Sequence, residues 1–283
     1  MTERIYTIAG LRLRVAGPEQ WIFREEGVLA SFTASDSWDH SVEFEVVEQL
    51  SDPEGQCVHR EPAKQIYVCG ETQLRYEGAV KEGFEGAYLR IARRGNTSRV
   101  QVKRDAIPCG ITSKLIMGCM EAEHLVAAAG GFLLHASCIR VGDKAVLFTA
   151  PSGTGKSTQA KLWCDLRGAE LINGDRAAVF PCDGGAQVRG IPFCGSSGVA
   201  KNETLPLAAI VYLSQAPSTT INQLSGIDAF RKIWEGCSVN VWNQADLELC
   251  SQSVLDTVST VPVYHLACTP DETAVVALEE VLK

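Results

Sequence analysis

Ala145-Val146-Leu147-Phe148-Thr149, followed by Ala150-Pro151-Ser152-Gly153-Thr154-Gly155-Lys156-Ser157, is the stretch that decides the fold. An apolar strand runs into a glycine-rich loop, and the segment Lys156 to Arg167 that follows reads as a helix. Strand, loop and helix start in that order make a cradle for phosphate. Glycines let backbone N–H groups turn inward on a β-phosphate, Lys156 neutralises β/γ oxygens, and Ser157 offers a hydroxyl to Mg²⁺. Ser152, Gly153, Thr154, Gly155, Lys156, Ser157 and Thr158 are therefore the expected nucleotide contacts, with ATP and Mg²⁺ as cofactors. Ala150 stands where the motif has its first glycine, which implies an ordinary backbone conformation at that position. The plain rival is a glycine-rich turn that carries a surface lysine.

The chain has 283 residues, 46% of them hydrophobic, enough for one large domain or two ordinary ones. Its 26 basic and 34 acidic residues leave a net charge of −8, which argues against a nucleic-acid partner needing a broad positive face. Met1 to Tyr6 shows no basic region leading into an apolar run, and the most apolar stretch, Leu125 to Ile139, is interrupted by Gly130, Gly131 and His135. A soluble, cytoplasmic protein without a membrane partner is expected. The 11 cysteines are scattered with no Cys-x-x-Cys pair, which fits reduced thiols. Cys57 and His59 supply two metal-ligand types without a second pair, so no metal site is expected there.

The first hundred residues read as short strands joined by turns: Tyr6 to Ala9, Leu11 to Val15, Val42 to Val47, Gln65 to Cys69, Leu74 to Glu77, Ala87 to Ile91 and Thr97 to Val102. That pattern predicts an antiparallel, β-rich domain over residues 1–107. Ser113 to Ala129 has a 3.6-residue period and predicts one helix after Pro108, the expected start of a second domain over 108–283. There, strand Phe132 to Val141 turns at Gly142-Asp143 into strand Lys144 to Thr149, so the loop strand has an antiparallel neighbour. Glu170 to Ile172 is a further strand. The apolar strand Leu207 to Leu213 ends at Ser214, where a metal-binding carboxylate would be expected, so that carboxylate must come from elsewhere. Asp175 follows the strand Glu170 to Ile172 and sits where α/β ligands collect, although Asn173-Gly174-Asp175 also makes an ordinary turn. His135, 21 residues before Lys156, and Arg189 read singly as a strand histidine and a surface charge.

Together these pieces resemble the HPr kinase/phosphorylase family, whose kinase domain shares a nucleotide-binding core with the phosphoenolpyruvate carboxykinases. The likeness runs from His135 through the Ser-Gly-x-Gly-Lys-Ser loop and Asp175 to Arg189-Gly190. It implies an α/β fold: a P-loop core with a mixed sheet, beside the β-rich N-terminal domain. It also implies that His135 lies near the transferred phosphate, that Lys156 and Ser157 hold nucleotide and Mg²⁺, that Asp175 is general base or metal ligand, and that Arg189 positions substrate or charge. Two positions depart from the family: Gly174-Asp175 replaces a paired Asp-Asp, and Gln187-Val188 stands where a glutamate precedes the Arg-Gly. The second departure points to transfer without phosphorolysis. The chain is also similar to shorter members that phosphorylate a serine of a ribosomally made peptide.

The resulting expectation is a Mg-ATP-dependent kinase for a hydroxyl, a serine of a peptide or small protein, or a small molecule. Residues 1–107 would select that acceptor, with Arg93 and Arg94 as a docking turn. The alternative is a nucleotide-binding regulatory or assembly protein with little or no phosphoryl transfer.

Overall fold

Turn residues and β-branched runs build the first sheet. A computed structural model describes residues 1–23, 27–35, 37–78 and 86–283, divided into two units, Met1–Ala122 and Glu123–Lys283. In the first, β1 (Thr2–Ile8), β2 (Leu11–Gly17), β3 (Thr33–Ala34), β4 (His40–Val47), β5 (Gln56–Glu61), β6 (Lys64–Cys69), β7 (Thr72–Gly78), β8 (Ala87–Arg94) and β9 (Thr97–Lys103) form one sheet in the order β3-β1-β2-β4-β9-β8-β7-β6-β5. The β1–β2 link is Ala9-Gly10, both at positive φ (54° and 79°), the two-residue turn whose twist suits a hairpin.

The sheet is mixed and not the antiparallel meander expected from the sequence: β4 runs parallel to both β2 and β9. A parallel neighbour needs a crossover connection, and the 18–39 segment between β2 and β4 is long enough to provide one. The single helix expected over Ser113 to Ala129 is two, α1 (Ser113–Cys119) and α2 (Ala122–Ala128). Between them Glu121 adopts φ +50°, unusual for a residue with a side chain. Its buried carboxylate meets Gln73 Nε2 at 3.1 Å, Arg93 Nε at 3.2 Å and Ser98 Oγ at 3.4 Å. A buried charge needs such partners, and they hold the break open. Arg93 is therefore turned inward and does not form the expected docking turn; Arg94 pairs at the surface with Glu71.

Glu121 also accounts for the first unit ending at Ala122 and not at residue 107. The 108–122 segment is tied into it by Glu121, by Ile111 N–H donating to Trp21 O at 2.6 Å, and by the bridge between Ile22 and Ile111.

The second unit holds β10 (Phe132–Val141), β11 (Lys144–Thr149), α3 (Lys156–Arg167), β12 (Glu170–Asn173), β13 (Arg176–Cys182), β14 (Gly185–Arg189), β15 (Thr204–Gln215), β16 (Thr220–Leu224), α4 (Gly226–Trp234), β17 (Cys237–Ser238), α5 (Gln244–Thr260), β18 (Val263–Cys268) and α6 (Glu272–Leu282). β10 and β11 form the expected antiparallel hairpin. The long β15 pairs antiparallel with β14 through its first residues and parallel with β11 through Leu207–Tyr212. Both faces are covered, as the near-continuous apolar runs of β10 and β11 require. Leu134, Leu147 and Ile210 pack with Ala229 and Ile233 of α4 and Val254 of α5, while Val146, Phe148 and Val211 pack with Trp163 of α3 and Val275 of α6. Among the described residues no helix is long and apolar enough to cross a membrane.

Candidate active site

The 150–155 loop leaves the end of β11 and enters α3. Gly153 and Gly155 lie at φ +78° and +121°, and an added Cβ would touch nothing at either, so backbone conformation and not space requires glycine. Ala150 is not among the residues at positive φ; it is 5% exposed and packs into the α3 core, as its side chain allows. Gly155 is the N-cap of α3 and no side chain caps that end, leaving helix N–H groups without an internal partner. Ser152, Ser157 and Thr158 are exposed, and Thr154 is half-buried. Lys156 is folded back, 7% exposed, its Nζ donating to Ala150 O at 2.9 Å and Pro151 O at 3.3 Å. Burial lowers its pKa, and the Asp175 carboxylate opposes that shift.

His135 reaches the same place from β10. Its backbone N–H donates to Gly236 O, and its Nδ1 lies 3.0 Å from Asp175 O and 3.5 Å from Asp175 Oδ1. The carbonyl can only accept, so the proton sits on Nδ1 and Nε2 carries a lone pair. Burial, then the charge of Lys156, lowers the His135 pKa; Asp175 pulls it back up.

Asp175 is held by its neighbour. Asn173 Oδ1 accepts from the backbone N–H of Asp175 at 2.8 Å and of Arg176 at 3.0 Å, while Asn173 Nδ2 donates to Ile191 O at 2.9 Å. The Asn-Gly-Asp turn and the carboxylate facing His135 are thus one construction. Gly174 has no room for a side chain: a Cβ there would collide with Ser197 in the 3₁₀ turn Gly195–Ser197.

Arg189 is not brought to this group. Its guanidinium lies 4.0 Å over the Phe180 ring, and the next residue, Gly190, packs against the Lys201 carbonyl too closely for any Cβ. The cation beside Asp175 is Arg176, with Nε 3.8 Å from Asp175 Oδ2 and Nη1 3.0 Å from Glu123 Oε1. Arg176 is not among the residues expected here, and Asn173 is expected only as part of a turn. Asn173 carried a signal, a turn-forming amide two residues before a carboxylate at a strand end.

A cavity of about 640 Å³ opens on the loop, with Thr154, Thr158, Ser214, Gln215, Thr269 and Pro270 in its walls. Lys156, His135 and Asp175 are not among its lining residues. Gln215 Nε2 donates to Thr154 O at 3.5 Å, and Ser214 Oγ meets His265 Nε2 at 2.8 Å, so the end of β15 supports the loop with neutral groups.

No family model matches the chain, and no curated protein sequence matches it. Among solved structures it is similar to the HPr(Ser) kinase/phosphatase from Coxiella burnetii, with 12% identity over 53% of this chain and 93% of that one, at a TM-score of 0.30. That likeness is too remote to carry any residue's role across.

Proposed function

We propose that this protein is a Mg-ATP-dependent phosphotransferase acting on a hydroxyl, of the kind found in the HPr kinase/phosphorylase family, with a serine of a peptide or small protein as the preferred acceptor. The observation that supports it most is the meeting of Lys156, His135 and Asp175. These residues come from three separate segments, yet His135 feels the charges of Lys156 and Asp175, and Lys156 feels that of Asp175. A glycine-rich surface turn would not need its lysine buried, nor a histidine and a carboxylate gathered beside it.

In this reading the loop N–H groups and Lys156 hold the phosphates, and the nucleoside enters the cavity beside the loop, whose volume falls in the usual range for small ligands. Exposed Ser157 and the half-buried Asp175 carboxylate, whose nearest side-chain partners among the described residues are His135 Nδ1 at 3.5 Å and Arg176 Nε at 3.8 Å, are an oxygen set suited to Mg²⁺. When bound, the ion neutralises charge on the transferred group. Asp175 takes the acceptor proton, and the His135 Nε2 lone pair is left to accept from a donor of the incoming substrate. Residues of the first unit select the acceptor.

One observation favours a second reading, a nucleotide-binding protein that transfers little: the turn at Ser197 leaves no space for a second carboxylate at position 174. Titration calorimetry with Mg-ATP, and [γ-³²P]ATP incubated with a degenerate serine-peptide library, separate the two. We expect tight Mg-ATP binding that Lys156→Ala removes without unfolding the chain, and phosphoserine in the library. Unchanged affinity in folded Lys156→Ala would reject the phosphate loop. Binding without phosphoserine or any other acceptor product would favour the second reading.

A further inference from the structure

Arg176 is the first residue of β13 and lies directly opposite His135 of β10 in the antiparallel register. Its backbone is fixed by Asn173 Oδ1. Its guanidinium stands between two carboxylates, Asp175 at 3.8 Å and Glu123 at 3.0 Å, and 4.8 Å over the ring of Phe193. An arginine has five N–H donors in a rigid fork. Among the described residues the only hydrogen bond of this fork goes to Glu123, since the approach to Asp175 is too long for one. A half-buried cation is therefore clamped from one side and from above, with donors left open on the side of Asp175 and His135.

We infer that Arg176 is the second protein cation of the transfer site, meeting the equatorial oxygens of the phosphoryl group as it passes to the acceptor, and that Glu123 is the residue that positions it. This rests on the phosphotransferase reading above. In the step, the acceptor oxygen–phosphorus bond forms, the bond from the γ-phosphorus to the bridging oxygen of ADP breaks, and the acceptor proton goes to Asp175. Charge gathers on the oxygens of the transferring group, and a guanidinium whose fork is already oriented and dehydrated on two sides stabilises it without reorganising. The loop lysine is held within its own loop by Ala150 O and Pro151 O, and the phosphotransferase reading gives it the β/γ side, so a separate cation is needed for the transferring group. Glu123, the first residue of the second unit, earns its place only through Arg176: it makes no other ion pair among the described residues.

The test uses the full chain. Mg-ATP affinity is measured by calorimetry, and the single-turnover rate of γ-phosphate loss from [γ-³²P]ATP is measured with the serine-peptide library and with water as acceptors. For Arg176→Ala we expect a rate at least ~100-fold below wild type, the usual loss for one preorganised donor, with the dissociation constant within ~3-fold. Free guanidinium at ~20 mM, far below denaturing levels, should restore at least ~5-fold of that rate, because the vacated slot between Glu123 and Phe193 accepts the same planar cation. Glu123→Gln should lower the rate by ~3- to 10-fold with no response to guanidinium, the signature of a residue acting through another. If Arg176→Ala does not fold, Arg176→Lys serves: charge kept and fork lost should give an intermediate rate. A rate for Arg176→Ala or Arg176→Lys equal to wild type, or a loss in Arg176→Ala that guanidinium leaves untouched, overturns the assignment while wild-type turnover preserves the phosphotransferase reading. Wild-type protein that binds no Mg-ATP overturns both, and is recognised before any variant is made.

Discussion

Asp175 and His135 hold each other through the Asp175 carbonyl as well as its carboxylate, so their roles separate by substitution of one atom. Asp175→Asn keeps the turn and the carbonyl but removes the negative charge. We expect single-turnover transfer to fall at least ~100-fold with Mg-ATP affinity changed far less, since a positioned base contributes about 10² to 10⁴. Wild-type transfer by this variant would leave Asp175 as a turn residue. His135 carries a separate expectation. Burial and the Lys156 charge keep its pKa below the ordinary 6.5, so the unfolded chain binds that proton more readily than the folded one. The stability this group contributes is present above about pH 6.5 and is lost as pH falls below it. Thermal melting of wild type and His135→Gln between pH 7.5 and 5 checks the sign: wild type should lose more Tm on acidification. Parallel curves would show that His135 titrates alike in both states.

At the scale of elements, the site is the junction of a loop, a hairpin and a short turn. The 3₁₀ turn Gly195–Ser197 sits on Gly174, and its Ser197 Oγ donates to Cys194 O at 2.6 Å. This packing, and not a missing chemical need, explains why a single carboxylate stands at the end of β12. Gly174→Asp should therefore destabilise the protein by about 2 kcal/mol or more, the scale of overpacking in a filled site, and should not raise turnover. Pairing it with Ser197→Gly, which removes the colliding side chain, should recover part of the loss in a denaturant titration. A Gly174→Asp protein as stable as wild type would mean that the turn moves freely. The break between α1 and α2 follows the same logic: one buried carboxylate with three donors outweighs a regular helical pattern.

For the whole molecule, every group assigned to phosphate lies in Glu123–Lys283. A net charge of −8 gives ATP no long-range attraction, so binding depends on the local cation Lys156 and on the α3 N–H groups. We expect a chain of residues 123–283 to bind Mg-ATP within ~3-fold of the full-length constant, because every group assigned to the nucleotide lies within that unit. Calorimetry on the two chains checks this; a folded fragment with no affinity would assign nucleotide contacts to the first unit. Acceptor selection by the first unit would then appear as a loss of peptide phosphorylation in the fragment at unchanged Mg-ATP affinity.

The sequence by itself determined what local chemistry dictates: the glycine-rich loop between strand and helix, the Phe132–Thr149 hairpin, the carboxylate after β12, and the β-rich first third. These depend on glycine conformation, turn residues and side-chain period, which act within a few residues. It did not determine that β4 runs parallel to its neighbours, that Arg93 points inward to Glu121, or that Arg176 and not Arg189 stands beside Asp175. Strand order and register bring those groups together across tens of residues, and the choice between two arginines on adjacent strands turns on which pairs opposite His135 and which lies over Phe180. That choice is made by packing of the whole sheet, where the burial of many side chains outweighs the preference of any one.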